Sequence, residues 1–219
     1  MIEKIGPTIY NGDSIYKTGA GSAPTPEPPL PDGYKRVEYI RTILDNSTPE
    51  ISVGFPINYM DKIEAKFFWN QPIYGQNYLY FFYTWDFNKR SFKIEGSTSR
   101  ALLKWNSSNA TENNTNFTQG EFKFSFSVNE GLIINGVNYP SNIGGNDGNA
   151  SLGRICHFAL NQDCSLYYFR ILNADNTLKR DCVPCVKLDG MVAGLYEQVL
   201  GNFITPIGGW SNYGPFVDD

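Results

Sequence analysis

The sequence predicts an all-β protein built from two packed sheets. Aromatic residues make up 15% of the 219 residues, with Tyr and Phe most frequent, and such residues favour strands. From Gly33 onward, about a dozen short strand-like runs follow one another between turn residues, and none has the length or period of a helix. A chain of this size with alternating faces is most simply a two-sheet sandwich.

Two short segments precede the predicted sandwich. Residues 1–20 are polar and too few to bury a core, so we expect them to dock on a partner by adding a short strand. Residues 21–32 hold five prolines in twelve residues and predict an extended linker; a loop packed along the domain through Leu30 is the alternative. Residues 33–213 are the predicted sandwich, and residues 214–219 form a C-terminal tail.

The strand-like runs support the sheet assignment one after another. In chain order they read RVEYIRTI, KIEAKFFW, NYLYFFYTW, SFKIEG, ALLKW, EFKFSFSVN, GLIINGVNY, RICHFALN, SLYYFRIL, TLKRDCVPCVKL, MVAGLYEQV and NFITPIG. Alternation is clearest in EFKFSFSV, where Phe122, Phe124 and Phe126 point to one side. Turn signals separate the runs, for example Asn-Gly at 135–136 and the glycine-rich loop at 144–149.

A Cys-x-x-Cys pair at Cys182 and Cys185 raises the question of redox or zinc chemistry. A redox pair sits at a helix N-terminus, whereas a strand, an Asp-Gly turn and another strand follow here. A zinc site needs further ligands, and Cys156, His157 and Cys164 do not have zinc-knuckle spacing. Residues three apart in a strand face opposite sides, so we interpret both cysteines as small buried hydrophobic residues and expect no metal.

Both ends of the predicted sandwich carry recognisable sequence. The first end reads LPDGYKRVEYI, and the second carries an Arg-Asp-x-x-Pro-Cys, an Asp-Gly and a Gly-Leu-Tyr. The matching residues of the second end are Arg180, Asp181, Pro184, Cys185, Asp189, Gly190, Gly194, Leu195, Tyr196 and Phe203. In combination they resemble concanavalin A-like lectin or LamG-type domains of phage and prophage structural proteins, such as head fibres and tail fibres. Glu197 stands where that family usually has Asp, and residues 60–120 show only generic strands.

That resemblance implies a concanavalin A-like jelly-roll sandwich and a role in a virion. The sequence argues against an enzyme, because glycoside hydrolases of this fold carry a Glu-x-Asp-x-x-Glu pattern that is absent here. The single histidine, His157, has no evident nucleophile beside it. The loop GGNDGN has one carboxylate, Asp147, which favours a turn over a calcium site. We therefore expect no catalytic residue, no metal and no cofactor.

Composition and the first residues argue against two classes of partner. The net charge is −4 and no basic run exists, so nucleic acid is not the expected partner. No apolar run approaches the roughly 20 residues that a membrane helix needs. The first residues lack the apolar region of a secretion signal, so we expect a protein that is made in the host cytoplasm and located in the virion.

One region combines aromatic, amide and carboxylate side chains, as sugar-binding sites do. It spans the segments WNQPIYGQNYLYFFYTWDFNKR and LLKWNSSNATENN. The alternative is that half of these aromatic residues lie in the core, because side chains alternate along a strand. The candidate glycan-binding residues are Trp69, Tyr74, Trp85, Asp86, Asn88 and Trp105.

A docking segment, a linker and a sandwich without a catalytic set describe a displayed module. We expect a head-fibre, capsid-decoration or tail-fibre protein, multicopy or homo-oligomeric, with surface glycans as candidate ligands. Its docking residues on other virion proteins would be Ile9, Tyr10, Ile15 and Tyr16. Two alternatives stay open: a bacterial cell-surface lectin or glycan-active protein, and an assembly-only virion subunit without a ligand.

Overall fold

The structure, a computed structural model, describes ten stretches of the chain. They are residues 28–42, 51–69, 78–84, 90–95, 100–105, 108–111, 120–139, 151–158, 163–208 and 212–217. For residues 53–55, 78–84, 90–95, 100–105, 108–111 and 151–158, the description covers the backbone alone. The predicted docking residues Ile9, Tyr10, Ile15 and Tyr16, and the proline-rich segment up to residue 27, lie outside the described residues.

Seventeen strands make up almost all of the regular structure in the described residues. They are β1 (Tyr34–Arg36), β2 (Ile40–Arg41), β3 (Ile51–Ile57), β4 (Lys62–Trp69), β5 (Tyr78–Thr84), β6 (Arg90–Glu95), β7 (Arg100–Trp105), β8 (Ser108–Thr111), β9 (Gly120–Ser127), β10 (Gly131–Ile134), β11 (Val137–Tyr139), β12 (Ser151–Phe158), β13 (Cys164–Leu172), β14 (Leu178–Lys187), β15 (Val192–Glu197), β16 (Asn202–Ile204) and β17 (Asn212–Tyr213). One 3-10 turn, Asp189–Met191, stands at the predicted Asp-Gly turn.

The strands form two antiparallel sheets. The larger has eleven strands with a main order of β11-β10-β9-β4-β13-β14-β15-β16; β1 pairs with β14, and β2 pairs with β13 and β17. The smaller has six strands in the order β3-β12-β5-β6-β7-β8. The chain passes between the sheets repeatedly, so many neighbours are far apart in sequence, as in a jelly roll.

One hydrophobic cluster joins the two sheets. Ile51 and Ile57 of β3 are fully buried together with residues of the larger sheet, among them Phe67, Phe126 and Phe169. The predicted alternation of β9 is correct, since its three phenylalanines all lie in this core. The prediction of an all-β, two-sheet jelly-roll sandwich is confirmed.

Strand β3 was not predicted by the sequence pattern. Its sequence, ISVGFPI, contains Gly54 and Pro56, both of which weaken strand signals. Pro56 is tolerated because β3 is the edge strand of the smaller sheet, where a missing backbone donor costs little. Edge position is a property of the assembled sheet and does not show in the local sequence.

A second hydrophobic cluster covers part of the outer face of the larger sheet, the side away from the core. It contains Val183, Cys185 and Tyr196, with Leu30, Tyr34 and Phe203 packed against them. The Tyr34 ring lies 5.1 Å from the Tyr196 ring and 5.4 Å from the Phe203 ring, measured between centroids. The residues that carry the family resemblance at the two ends of the chain thus contact each other, and their role in this cluster is packing.

Gly194 opens the Gly-Leu-Tyr motif of the family resemblance, and this position requires a residue without a side chain. A Cβ at this position would lie 2.5 Å from the Phe203 ring and 2.6 Å from the carbonyl oxygen of Ile204. Any larger residue would separate β15 from β16. This glycine is therefore explained by strand packing.

The segments just before β1 and just after β17 also contact the larger sheet. The carbonyl oxygen of Pro28 accepts hydrogen bonds from Arg36 and Gln198, at 3.2 and 3.1 Å. In the segment predicted as a tail, Phe216 forms a β-bridge with Val37, and the Val217 amide donates to the Arg36 carbonyl at 3.1 Å. The segments 28–36 and 214–217 therefore lie against the sheet.

Candidate functional site

The two cysteines of the Cys-x-x-Cys pair face opposite sides of β14, as predicted. Cys182 lies in the core between the sheets and Cys185 in the outer cluster. Burial is the main cause that raises the pKa of both thiols, well above the usual value for Cys182 and to about 12 for Cys185. Both thiols therefore carry their proton at neutral pH, and they cannot contact one ligand together.

The prediction that Trp69 binds glycans is wrong. Trp69 is 1% exposed and belongs to the core between the sheets. It lies on the same side of β4 as Ile63, Ala65 and Phe67, so the strand's alternation turns its ring inward. A buried ring offers no face to a sugar.

The side chains of the other candidate glycan residues lie outside the described part of the chain. Trp105 is the last residue of β7 and lies opposite Arg90 and Ser108, but its side chain is outside the described residues. Tyr74, Trp85, Asp86 and Asn88 lie entirely outside the described residues. Their role in glycan binding stays a prediction.

A β-bulge in β13 creates a different surface site. Leu166 pairs with Phe67, and Tyr168 pairs with Lys66, so Tyr167 is the extra residue in this strand. The bulge keeps Leu166 and Phe169 in the core and leaves two adjacent tyrosines half-buried outside it. Bulges often redirect side chains at functional sites.

Two cations lie over the rings of these tyrosines. The Lys66 Nζ is 4.5 Å from the centre of the Tyr167 ring, and the Arg170 guanidinium carbon is 4.9 Å from the centre of the Tyr168 ring. A third ring, that of Tyr39, lies 5.4 Å from the Tyr167 ring. We call this group, Tyr39, Lys66, Tyr167, Tyr168 and Arg170, the tyrosine face.

Tyr39 is held in place by the C-terminal segment. The Gly214 amide donates to the Tyr39 carbonyl at 2.9 Å. A Cβ on Gly214 would lie 2.7 Å from the Tyr39 ring, so the ring packs directly on the glycine backbone. The tyrosine face is therefore assembled from β4, β13 and two segments near opposite ends of the described chain.

Carboxylates balance the cations of the tyrosine face. Lys66 pairs with Glu121 at 3.0 Å, and the Arg170 Nε donates to Asp181 Oδ1 at 2.9 Å. Arg170, Asp181 and Glu64 are all buried, with 7%, 5% and 7% exposed. The face as a whole therefore carries little net charge.

The two phenols of the bulge stay protonated over a wide pH range. Burial is the first cause that raises the pKa of Tyr167 to about 12, with the charges of Glu38 and Glu121 adding to it. Burial likewise raises the pKa of Tyr168 to about 12, with Glu64 adding to it. Neutral phenols can both donate and accept hydrogen bonds, so the face offers polar groups beside apolar ring carbons.

Sequence reasoning missed the tyrosine face because the bulge changes the side of Tyr167. Strict alternation from Phe169 and Ile171 would turn Tyr167 inward. The available signal was the spacing of three between the core residues Leu166 and Phe169, which strict alternation does not allow. Tyr39 and Lys66 are distant from the bulge in sequence and gave no signal.

Two features are absent from the described residues. No group of three or more His, Cys, Asp or Glu lies close enough together there to hold a metal ion. Within that same part of the chain, none of the helices has the length and apolar character needed to cross a membrane.

Comparison with known proteins adds little. No protein-family model matches the chain, and no curated protein matches it either. Among solved structures, a toad ovary galectin in complex with thio-digalactose is similar over 57% of this chain and 98% of the galectin, with 13% identity and a TM-score of 0.38. A likeness of this size does not indicate what the chain binds. The resemblance to phage structural proteins stays a prediction.

Proposed function

We propose that this chain is a structural subunit of a phage particle and that its sandwich binds surface glycans through the tyrosine face. The observation that carries the proposal of glycan binding is the bulge, which leaves two half-buried neutral phenols side by side on the outer face of the larger sheet. Sugars are bound by aromatic ring carbons together with a few well-placed polar groups. Weak single sites suit a multicopy particle, because avidity multiplies their affinity.

The balance of charge on the tyrosine face favours uncharged sugars. Lys66 and Arg170 are each paired with a carboxylate, so a charged ligand would gain little net attraction. Arg170 and Asp181 are also buried and serve to position the rings. The proposed ligand is therefore a neutral oligosaccharide of a bacterial or environmental surface, and the proposed protein is a binding module and not an enzyme.

Glycan binding is tested with the full chain on a glycan array and on intact bacterial cells. We expect saturable binding that falls about fivefold in Tyr167→Ala and in Tyr168→Ala, because stacking on a ring contributes of the order of 1 kcal/mol. Tyr167→Phe keeps the ring and separates stacking from hydrogen bonding. Tyr139→Ala removes a half-buried tyrosine of β11, outside the tyrosine face, and is the matched control. Binding that both Tyr→Ala variants retain in full contradicts the assignment of the site.

The virion role needs a separate test. We expect mass spectrometry of purified particles to detect the chain, and deletion of residues 1–20 to abolish its incorporation. Incorporation together with failure of all glycan binding would favour the assembly-only subunit. Particles without the chain would contradict the virion role and favour a bacterial surface lectin.

A further inference from the structure

A second candidate binding site lies at one end of the larger sheet. A cleft of about 220 Å³ opens between the start of β4, the turn from β9 to β10 and the turn from β13 to β14. Its lining includes Met60, Lys62, Asn129, Glu130, Ala174 and Asn176, and we call it the end cleft. Lys62 of the end cleft and Lys66 of the tyrosine face are about 13 Å apart along β4. Arg170, the member of the tyrosine face that lies opposite Glu64, is about 7 Å from Lys62 along the strand, and the two sites share no residue.

The polar groups of the end cleft can both donate and accept hydrogen bonds. Within the described residues, the side-chain amides of Asn129 and Asn176 have no hydrogen-bond partner, and each offers a donor and an acceptor. The Lys62 ammonium lies 2.8 Å from Glu130 and 3.3 Å from Glu64. Two carboxylates around one ammonium leave no net positive charge to attract an anion, and the ammonium itself repels a metal cation.

The walls of the end cleft are fixed before any ligand arrives. Thr177 accepts a hydrogen bond from Asn173 Nδ2 at 2.9 Å and donates one to Asp175 Oδ1 at 2.6 Å. The backbone N–H of Asn176 donates to the backbone carbonyl of Asn173 at 2.9 Å. Across the cleft, the Asn138 side chain donates to the Glu130 carbonyl at 3.2 Å. Side-chain hydrogen bonds thus hold both turns, which lowers the entropy lost on binding.

The end cleft also has an apolar part. Met60 is 42% exposed there, and Ala174 lines the same space. A thioether side chain adapts to the surface that it contacts. A ligand with hydroxyl groups on its edge and C–H groups on its face would match the amides and the apolar part together.

We propose that the end cleft binds one neutral pyranose ring. At about 30 Å³ for each water, a space of this size holds roughly seven waters, and it is smaller than the ~300–1,000 Å³ of drug-sized pockets. One sugar ring fits such a space, and an oligosaccharide does not. The net charge of Lys62, Glu64 and Glu130 is negative, which disfavours a uronic acid and selects a neutral sugar. This site does not depend on the tyrosine face, and either can exist without the other.

An NMR titration of the full, ¹⁵N-labelled chain tests the end cleft. The probes are methyl β-D-glucopyranoside, methyl β-D-galactopyranoside, methyl α-D-mannopyranoside and the charged comparator sodium glucuronate. We expect saturable shifts of the backbone amides in residues 127–130 and 173–176 with at least one neutral probe. Glucuronate is expected to bind more weakly.

Two asparagine-to-glycine variants provide the matched comparison. Asn176 has a φ of 65° and Asn135 a φ of 49°, so glycine suits the backbone of both turns. Asn176→Gly removes an amide of the end cleft, and we expect about tenfold weaker binding. Asn135 instead bonds Lys123 and Glu121, so Asn135→Gly is expected to leave the affinity within about twofold.

Three results would overturn the proposal. They are no saturable shift in the two turns with any neutral probe, tighter binding of glucuronate, or an unchanged affinity in Asn176→Gly. Shifts confined to residues around Tyr167 and Tyr168 are one case of the first result, and they would support the proposed function. Shifts in the two turns alone would support the end cleft, and the glycan array with the Tyr167 and Tyr168 variants would still test the tyrosine face.

Discussion

At the scale of single residues, Cys182 and Cys185 make a direct test of the sandwich. Both side chains are fully buried, and burial raises the pKa of each thiol. Because the thiolate is the reactive form, we expect neither cysteine to be alkylated by iodoacetamide at pH 8 in the folded protein. Peptide mass spectrometry measures this, with protein unfolded in guanidinium as the positive control. Rapid labelling of Cys182 in folded protein would contradict its place in the core.

The raised pKa values of Tyr167 and Tyr168 predict a loss of folding stability at high pH. Their pKa of about 12 in the folded protein exceeds the value of about 10 for an unfolded chain. The folded state holds these protons more tightly, so this stabilisation is complete below pH 10 and is lost as the pH rises from about 10 to 12. We expect urea denaturation at pH 9, 10 and 11 to show a decline that is smaller in the Tyr167→Phe/Tyr168→Phe double variant.

The outcome at Trp69 shows what alternation predicts for a single residue. Trp69 follows Ile63, Ala65 and Phe67 at intervals of two, so its burial was contained in the pattern of KIEAKFFW. Its amide- and tyrosine-rich sequence neighbourhood suggested a sugar site but carries no information about the side of the strand. Composition identifies candidate chemistry, and periodicity decides which side chains can be exposed.

At the scale of elements, the buried ion pair between Arg170 of β13 and Asp181 of β14 links two central strands. Their side chains are 8% and 7% exposed. Arg170→Met leaves the Asp181 carboxylate buried without this partner, so we expect a loss of about 3–5 kcal/mol in the free energy of unfolding. Urea denaturation at pH 7 measures it.

The pair between Arg41 and Asp163 is the matched control for that substitution. It is bidentate, with contacts of 2.8 and 2.6 Å, but the Arg41 side chain is 40% exposed. Water reaches the Arg41 side of this pair, although the Asp163 side chain is only 11% exposed. We therefore expect Arg41→Met to cost about 1–2 kcal/mol, less than Arg170→Met. Equal losses in the two variants would contradict the role of burial.

Strand type was readable from the sequence, but strand irregularities were not. Period-two runs predicted most strands, including β4, β9 and β14, because side-chain alternation is local. The edge strand β3 was missed at Gly54 and Pro56, and the bulge at Tyr167 was missed as well. The edge position and the bulge both depend on the neighbouring strand, which is about a hundred residues away in sequence in the case of β3 and β12.

At the scale of the whole molecule, residues 214–217 complete the sheet. The Glu38 amide donates to the Pro215 carbonyl at 3.0 Å, beside the bonds to Tyr39 and Arg36. Ending the chain at Tyr213 removes three backbone hydrogen bonds, so we expect a loss of about 2–4 kcal/mol in unfolding free energy. Thermal and urea denaturation measure it, and removal of residues 218 and 219 alone is the control. Unchanged stability after the longer truncation would contradict these contacts.

The same segment decides how the sandwich responds to a pulling force. Residues 36–39 and 214–217 run antiparallel, with the Arg36–Val217 contact outermost. A load applied beyond Val217 would therefore break the backbone bonds one after another, as in unzipping, and would not shear them all at once. Mechanical failure would start at Val217 and reach Gly214, where the support of Tyr39 is lost while most of the sandwich is still folded. A pulling force on residues 214–217 would thus disturb the tyrosine face before it unfolds the domain.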